Sequence, residues 1–230
     1  VDDGDDARTV WIGDPDVLPL AGWPLDSVDG LSVGTSEGVD PLVTQRYRLD
    51  GGDGITTLRQ AVDAALTGQT SRLGRLLAPM GVEYLVVVDR AAPQPFARRE
   101  VPVPAGALAA LREQLDLTEI ELNPGLVLFQ VADTWPLRSD ISDLDLPDDG
   151  NPDLTTQLQT PLTVPPAVLG AGTGTHFSGE LPADRTIAQA ETADAGWSLS
   201  VDGTAARRSP LLGWQQQYAT SGAGNAELRW

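Results

Sequence analysis

The sequence predicts a mixed two-part architecture: an α/β (α+β) layer followed by an all-β sandwich. Three observations carry this. From residue 8 to residue 132, short β-rich runs alternate with segments of helical period. Between 133 and 160 that periodicity gives way to a stretch rich in Asp and Pro. From 161 to 230, short alternating runs recur between Gly, Pro, Asp and Ser, with no helical stripe. Strands interleaved with helices pack as a sheet covered by helices. Short strands at regular spacing build a sandwich. The expected boundaries are therefore a disordered acidic N-terminus over 1–7, an α/β domain over 8–132, an acidic linker or loop over 133–160, and a β-sandwich over 161–230.

Each element has its own signal. Thr9-Val10-Trp11-Ile12 is a β-rich run that Gly13-Asp14-Pro15 stops. Thr56–Leu66 places Leu58, Ala61, Val62, Ala65 and Leu66 at helical spacing, with Thr56 as N-cap and Gly68 as stop. Thr70–Met80 repeats the pattern with Leu73, Leu76, Leu77 and Met80, and Gly81 ends it. Glu83–Asp89 is a nearly continuous apolar run, the mark of a central strand buried on both faces. Ala105–Leu115 reads as a third helix with Leu108, Leu111 and Leu115 in register. Leu117–Leu122 and Leu126–Val131 are strands around Asn123-Pro124-Gly125. Further runs follow at Leu162–Val164, His176–Leu181, Thr186–Glu191, Trp197–Val201, Gly213–Tyr218 and Ala226–Trp230. Asp202-Gly203 between two of these runs is a type I′ hairpin signal.

Composition excludes several chemistries. The 230 residues carry 33 acidic and 15 basic side chains, a formal net charge of −18, and every basic residue is Arg. Without Lys there is no P-loop lysine and no Schiff-base lysine. Without Cys there is no disulfide, zinc-thiolate or cysteine nucleophile. Such an acidic chain repels nucleic acid, which is not expected as a partner. Apolar stretches such as Val82–Val88 are far shorter than the roughly 20 residues that span a bilayer. The N-terminus Val1-Asp2-Asp3-Gly4 is neither an initiator Met nor a signal peptide, and reads as a cut inside a longer protein.

The motifs that could carry chemistry are each incomplete. Gly34-Thr35-Ser36-Glu37-Gly38 fits a nucleophile elbow, and the sole histidine, His176, follows in hydrolase order. Such an elbow needs a strand-to-helix turn after several elements, and Val39-Asp40-Pro41 opens no helix, so a serine hydrolase using Ser36 and His176 is the alternative reading. Asp14-Pro15-Asp16 and Asp143-Leu144-Asp145 have the D-x-D form that holds a divalent cation against a nucleotide sugar. In so Asp-rich a chain they carry little information, and Asp143 and Asp145 are weak metal candidates. Asp140–Asp153 lacks the spacing of a calcium loop. Gly170–Thr175 resembles a dinucleotide loop, but Thr175 stands where the third Gly belongs and no helix follows. No cofactor and no catalytic residue are expected. Trp197, Trp214, Tyr218 and Trp230 lie in the β region, where aromatic faces stack on sugars when they are not core. The candidate ligand-binding residues are Trp197, Trp214, Tyr218, Asp202, Gln215 and Gln217. Alternation along the strand sets Gln215 and Gln217 opposite Trp214 and Gln216.

Three stretches carry a resemblance. Thr70–Val88 is one, Leu108–Leu117 with Pro124–Phe129 is the second, and Gly196-Trp197-Ser198-Leu199-Ser200-Val201-Asp202-Gly203 with Pro210–Trp214 is the third. Together they resemble the late, β-rich region of large polytopic actinobacterial membrane proteins of the family 2 glycosyltransferases, over most of residues 8–230. The resemblance implies a cytoplasmic transferase domain and many transmembrane helices elsewhere in the parent, and an extracytoplasmic place for this region. It implies a non-catalytic role: binding or positioning a neutral or basic cell-envelope glycan, an acceptor or a partner, beside the transmembrane part of the same chain. A purely structural module is the remaining alternative. The matching motifs are structural, and no position matches the family's transferase motifs.

Overall fold

The computed structural model describes residues 7–37, 52–89, 102–123, 125–146, 153–159 and 163–230. Among them the architecture is β-rich, with three sheets and four α-helices. The chain divides into two compact units: Val1–Gly51 with Ile55–Thr134, and Gly52–Gly54 with Trp135–Trp230. No helix among the described residues is long and apolar enough to cross a membrane.

The first unit is built on a six-stranded sheet. Its strands are β1 (Arg8–Gly13), β2 (Trp23–Pro24), β3 (Ser32–Glu37), β4 (Val82–Val88), β5 (Leu117–Asn123) and β6 (Leu126–Val131), in the order β2-β3-β1-β4-β6-β5. Only β1 and β4 pair in parallel. The expected central strand is β4, flanked on both sides, with Leu85, Val86, Val87 and Val88 all buried. β3 was not expected as a strand. Polar Thr35, Ser36 and Glu37 hide it, and Gly34 fits there because a Cβ would meet Leu20 Cδ1 at 2.0 Å.

Three helices fall mainly in this unit. α1 (Gly52–Leu66) buries Leu58, Ala61, Val62 and Ala65 of the expected stripe, while Leu66 is half-buried. It begins at Gly52, so Thr56 lies inside it and is not the N-cap; Asp53 in the first turn suits the positive end of the helix. Gly68 does end it, at φ +72, with Gln69 N–H donating to Ala64 O and Gly68 N–H to Ala65 O. The expected Thr70–Met80 helix is α2 (Leu73–Leu77) continued by a 3₁₀ turn over Ala78–Met80, where Pro79 removes a donor. α3 (Ala105–Arg112) stops short of Leu115. The chain leaves the helix there so that Gln114 and Asp116 turn inward to α2, and Leu115 between them is left 71% exposed.

The second unit holds two sheets with all pairs antiparallel. One contains β7 (Arg138–Asp140), β10 (Thr186–Gln189), β13 (Arg207–Leu211) and β14 (Gln215–Ala219), in the order β13-β14-β10-β7. The other contains β8 (Ala171–Thr173), β9 (His176–Leu181), β11 (Ser198–Val201), β12 (Thr204–Ala205) and β15 (Gly224–Arg229), in the order β12-β11-β15-β9-β8. One core joins them: Ile187 and Tyr218 from the first sheet meet Leu181, Leu199, Val201, Ala226 and Leu228 from the second. The Asp202-Gly203 turn links β11 to β12 with φ +47 and +79, the type I′ signature.

The stretch expected as an acidic linker contributes structure. It supplies β7, and α4 (Leu154–Gln159), whose first turn is capped by the Asp153 carboxylate accepting from Thr156 N–H at 2.7 Å. Trp135, Leu137 and Ile141 are buried there, which gives the segment an apolar reason to fold. Residues 147–152, in the middle of the acidic run, and the expected disordered residues 1–6 lie outside the described residues. Of the expected Leu162–Val164 strand, Leu162 also lies outside them, and Thr163 and Val164 are not in a strand.

Candidate functional site

The residues singled out for chemistry are committed to the fold. Ser36 sits within β3 opposite Thr9, 1% exposed, and its Oγ accepts from Trp11 Nε1 at 2.8 Å. That places Ser36 within the strand, paired on the sheet and not at a turn, so it does not sit as the nucleophile of an elbow does; Gly38, the last residue of the motif, lies outside the described residues. His176 opens β9 in the other unit and is exposed. Asp14 caps the turn after β1, its Oδ1 accepting from Asp16 N–H at 2.9 Å. Asp143 is exposed, with Arg185 Nη1 3.9 Å from its Oδ2. Among the described residues no three His, Asp or Glu side chains gather as a metal site. The dinucleotide-like stretch is a β-hairpin, with Thr173 opposite His176 and Gly174 at φ +59.

The six candidate ligand-binding residues do not form one surface. Trp214, Gln215 and Tyr218 are buried. Tyr218 OH donates to Gln189 Oε1 at 3.3 Å, and Gln216 Nε2 donates to the same oxygen at 3.0 Å. Burial pushes the Tyr218 phenol up to about 12. Gln215 Nε2 finds no hydrogen-bond partner among the described residues. Gln217 is half-buried and its Nε2 donates to Pro210 O at 3.4 Å. Asp202 is exposed, but its Oδ1 accepts from Asn225 N–H at 3.1 Å across the hairpin end. Trp197 is half-buried and stacks on Phe177, ring centroids 6.2 Å apart, while the Arg138 guanidinium lies 3.8 Å from the centre of the Phe177 ring. The Trp214 end of β14 is therefore closed, and Trp197 is the one candidate aromatic that keeps partial access.

Beside Trp197 lies a group of residues of which the sequence singled out Trp230 alone. Asp194-Ala195-Gly196 is a turn in which Asp194 Oδ1 accepts from Gly196 N–H at 2.7 Å. Arg208 Nη1, from β13, donates to Asp194 O at 2.9 Å. The Trp230 indole rests on Gly196, where a Cβ would come 2.8 Å from its Nε1, and yet Trp230 is 64% exposed. The one local signal was the Asp-x-Gly turn just before Trp197; Arg208 and Trp230 reach it only through the pairing of distant strands.

The segments 70–88, 108–117 and 196–203 have structural work of their own. Asp116 is buried, and its two carboxylate oxygens accept from Gly74 N–H at 3.0 Å and Arg75 N–H at 2.8 Å, at the first turn of α2. Gln114 Oε1 accepts from Leu73 N–H at 2.9 Å, and Gln114 Nε2 donates to Thr70 O. Gly74 admits no side chain, since a Cβ would meet Asp116 O at 2.6 Å. In the third segment, Gly196 seats Trp230, Leu199 and Val201 enter the core, and Asp202-Gly203 turns the chain.

No family model matches this chain, and no curated protein or solved structure matches it.

Proposed function

We propose that this chain is a non-catalytic, extracytoplasmic part of a membrane-embedded protein resembling the family 2 glycosyltransferases. In this reading the first unit is an α/β layer and the second a β-sandwich that binds or positions a neutral or basic cell-envelope glycan or acceptor. The observation that carries it is the exposed Trp230 indole seated on Gly196 beside Asp194, next in the chain to half-buried Trp197. Ser36, the nucleophile of the rival hydrolase reading, is buried and accepts from Trp11 Nε1. The shared core of the two antiparallel sheets supports the sandwich reading. The test is binding of the chain to purified envelope polysaccharide, with a topology reporter fused at this region of the full-length protein. Retention on the polysaccharide and an extracytoplasmic reporter signal are expected. A cytoplasmic reporter signal, or hydrolysis of an ester or glycoside that His176→Ala abolishes, overturns the reading.

A further inference from the structure

We infer that the Gly196 turn, with Trp230, Asp194 and Arg208, is a saccharide subsite that takes one uncharged pyranose carrying adjacent hydroxyls. The inference rests on the glycan-binding reading and sharpens it to one place and one ligand class. Trp230 is 64% exposed, yet one edge of its indole is seated against backbone. Its backbone N–H donates to Thr175 O at 3.0 Å, and its pyrrole edge lies on Gly196 with no room for a Cβ between them. A held aromatic face loses little freedom when a sugar stacks its C–H face on it.

Polar groups stand at the same spot. The point where a Gly196 Cβ would sit is 2.8 Å from Trp230 Nε1 and 3.1 Å from Asp194 Oδ1, so indole and carboxylate flank one short stretch of backbone. Arg208 is exposed and reaches the same turn through its bond to Asp194 O. A carboxylate accepts from sugar hydroxyls and a guanidinium donates to them, and adjacent hydroxyls on one ring suit both at once. Charge decides the rest. Asp194 and the net charge of −18 oppose a uronic acid or phosphosugar, and Arg208 offsets at the turn itself the attraction that Asp194 would give an ammonium. An uncharged ring is the occupant that neither group repels. Trp214 has no part in it, being buried.

The experiment follows the indole N–H resonances of the ¹⁵N-labelled chain during titration with the methyl glycosides of glucose, mannose and galactose. Methyl glucuronide and glucosamine serve as charged comparisons. At least one neutral glycoside is expected to move the Trp230 signal with a dissociation constant of about 1 mM. Trp230→Ala should weaken binding about tenfold or more, and Arg208→Gln, a surface change that keeps the fold, about threefold or more. Leu115→Ala, on the first unit, should change nothing. Tighter binding of either charged sugar overturns the ligand class. If envelope polysaccharide still binds, but no glycoside moves the Trp230 signal and both variants bind like the wild type, the subsite is wrong and the glycan reading stands. If neither glycosides nor polysaccharide bind, both fall.

Discussion

In the first unit one buried carboxylate, Asp116, takes two N–H groups of a helix that lies far away in sequence, and Gln114 takes a third. In the second unit the same chemistry is spread over short turns and strand ends, as it is at Asp14 in the first. Asp140 accepts from Ser142 N–H at 3.0 Å, Asp194 from Gly196 N–H at 2.7 Å and Asp202 from Asn225 N–H at 3.1 Å. Both units face the same requirement, that backbone donors left over at element ends find acceptors. A helix packed on a sheet concentrates the open donors at its first turn. Antiparallel strands distribute them among many turns. The comparison also explains part of the acidic composition, because several of the Asp residues act as backbone acceptors. It predicts that single changes damage the first unit more than the second.

The largest effect should come from Val87→Asp in β4. Val87 is fully buried, and an unpaired carboxylate there costs several kcal/mol, about the whole stability of a typical domain. The expected outcome is an insoluble or unfolded chain, and a soluble variant with unchanged thermal melting would remove β4 from the core. Next comes Asp116→Ala. It strands two N–H groups of α2, one of them buried, and should cost about 3 kcal/mol by chemical denaturation. A loss no greater than that of Asp202→Ala, for which about 1 kcal/mol is expected, would erase the contrast between the units.

How much of this was legible in the sequence depends on how local its cause is. β4 was legible because its burial is written in its own apolar residues, and the Asp202-Gly203 turn because two residues set the backbone angles. β3 was not, since its polar Ser36 is buried by virtue of a hydrogen bond from Trp11 on a neighbouring strand. Leu115 was misplaced on a helix face because the helix is ended by the distant demand of α2 for Gln114 and Asp116. The candidate subsite was half legible. Trp197 and the β-region aromatics stood out by type, but Asp194, Arg208 and Trp230 come together only through strand pairing.

Two glycines of the second unit sharpen the comparison at smaller scale. Gly224 lies at φ +145, and a Cβ there would meet Asp202 Oδ2 at 2.0 Å, so Gly224→Ala must both strain the backbone and expel the carboxylate from Asn225. Gly203 lies at φ +79 with open space around it, so Gly203→Ala meets strain alone. The expected losses are about 2 to 3 kcal/mol and about 1 kcal/mol respectively. Equal melting temperatures for the two variants would show that the Asp202 carboxylate contributes nothing to the hairpin.

The smallest effect is a pH dependence from the core of the second unit. Burial holds the Tyr218 phenol up to about 12, while an unfolded tyrosine titrates near about 10. The folded state therefore favours the neutral phenol. Its contribution is complete below about pH 10 and is lost as the pH rises toward 12, where the unfolded chain releases its proton first. Arg208 on the paired strand pulls the other way, stabilising the phenolate, but less than burial opposes it. Tyr218→Phe keeps the ring in the core and removes the hydroxyl bond to Gln189, a loss of about 1 kcal/mol at neutral pH. It also removes the ionisable group, so the gap between variant and wild type should narrow between pH 10 and 12 in denaturant titrations. A gap that stays constant across that window would mean that Tyr218 ionises as readily in the folded chain as in the unfolded one, and that the second unit admits solvent to its core where its buried Gln189 and Gln216 partners indicate it does not.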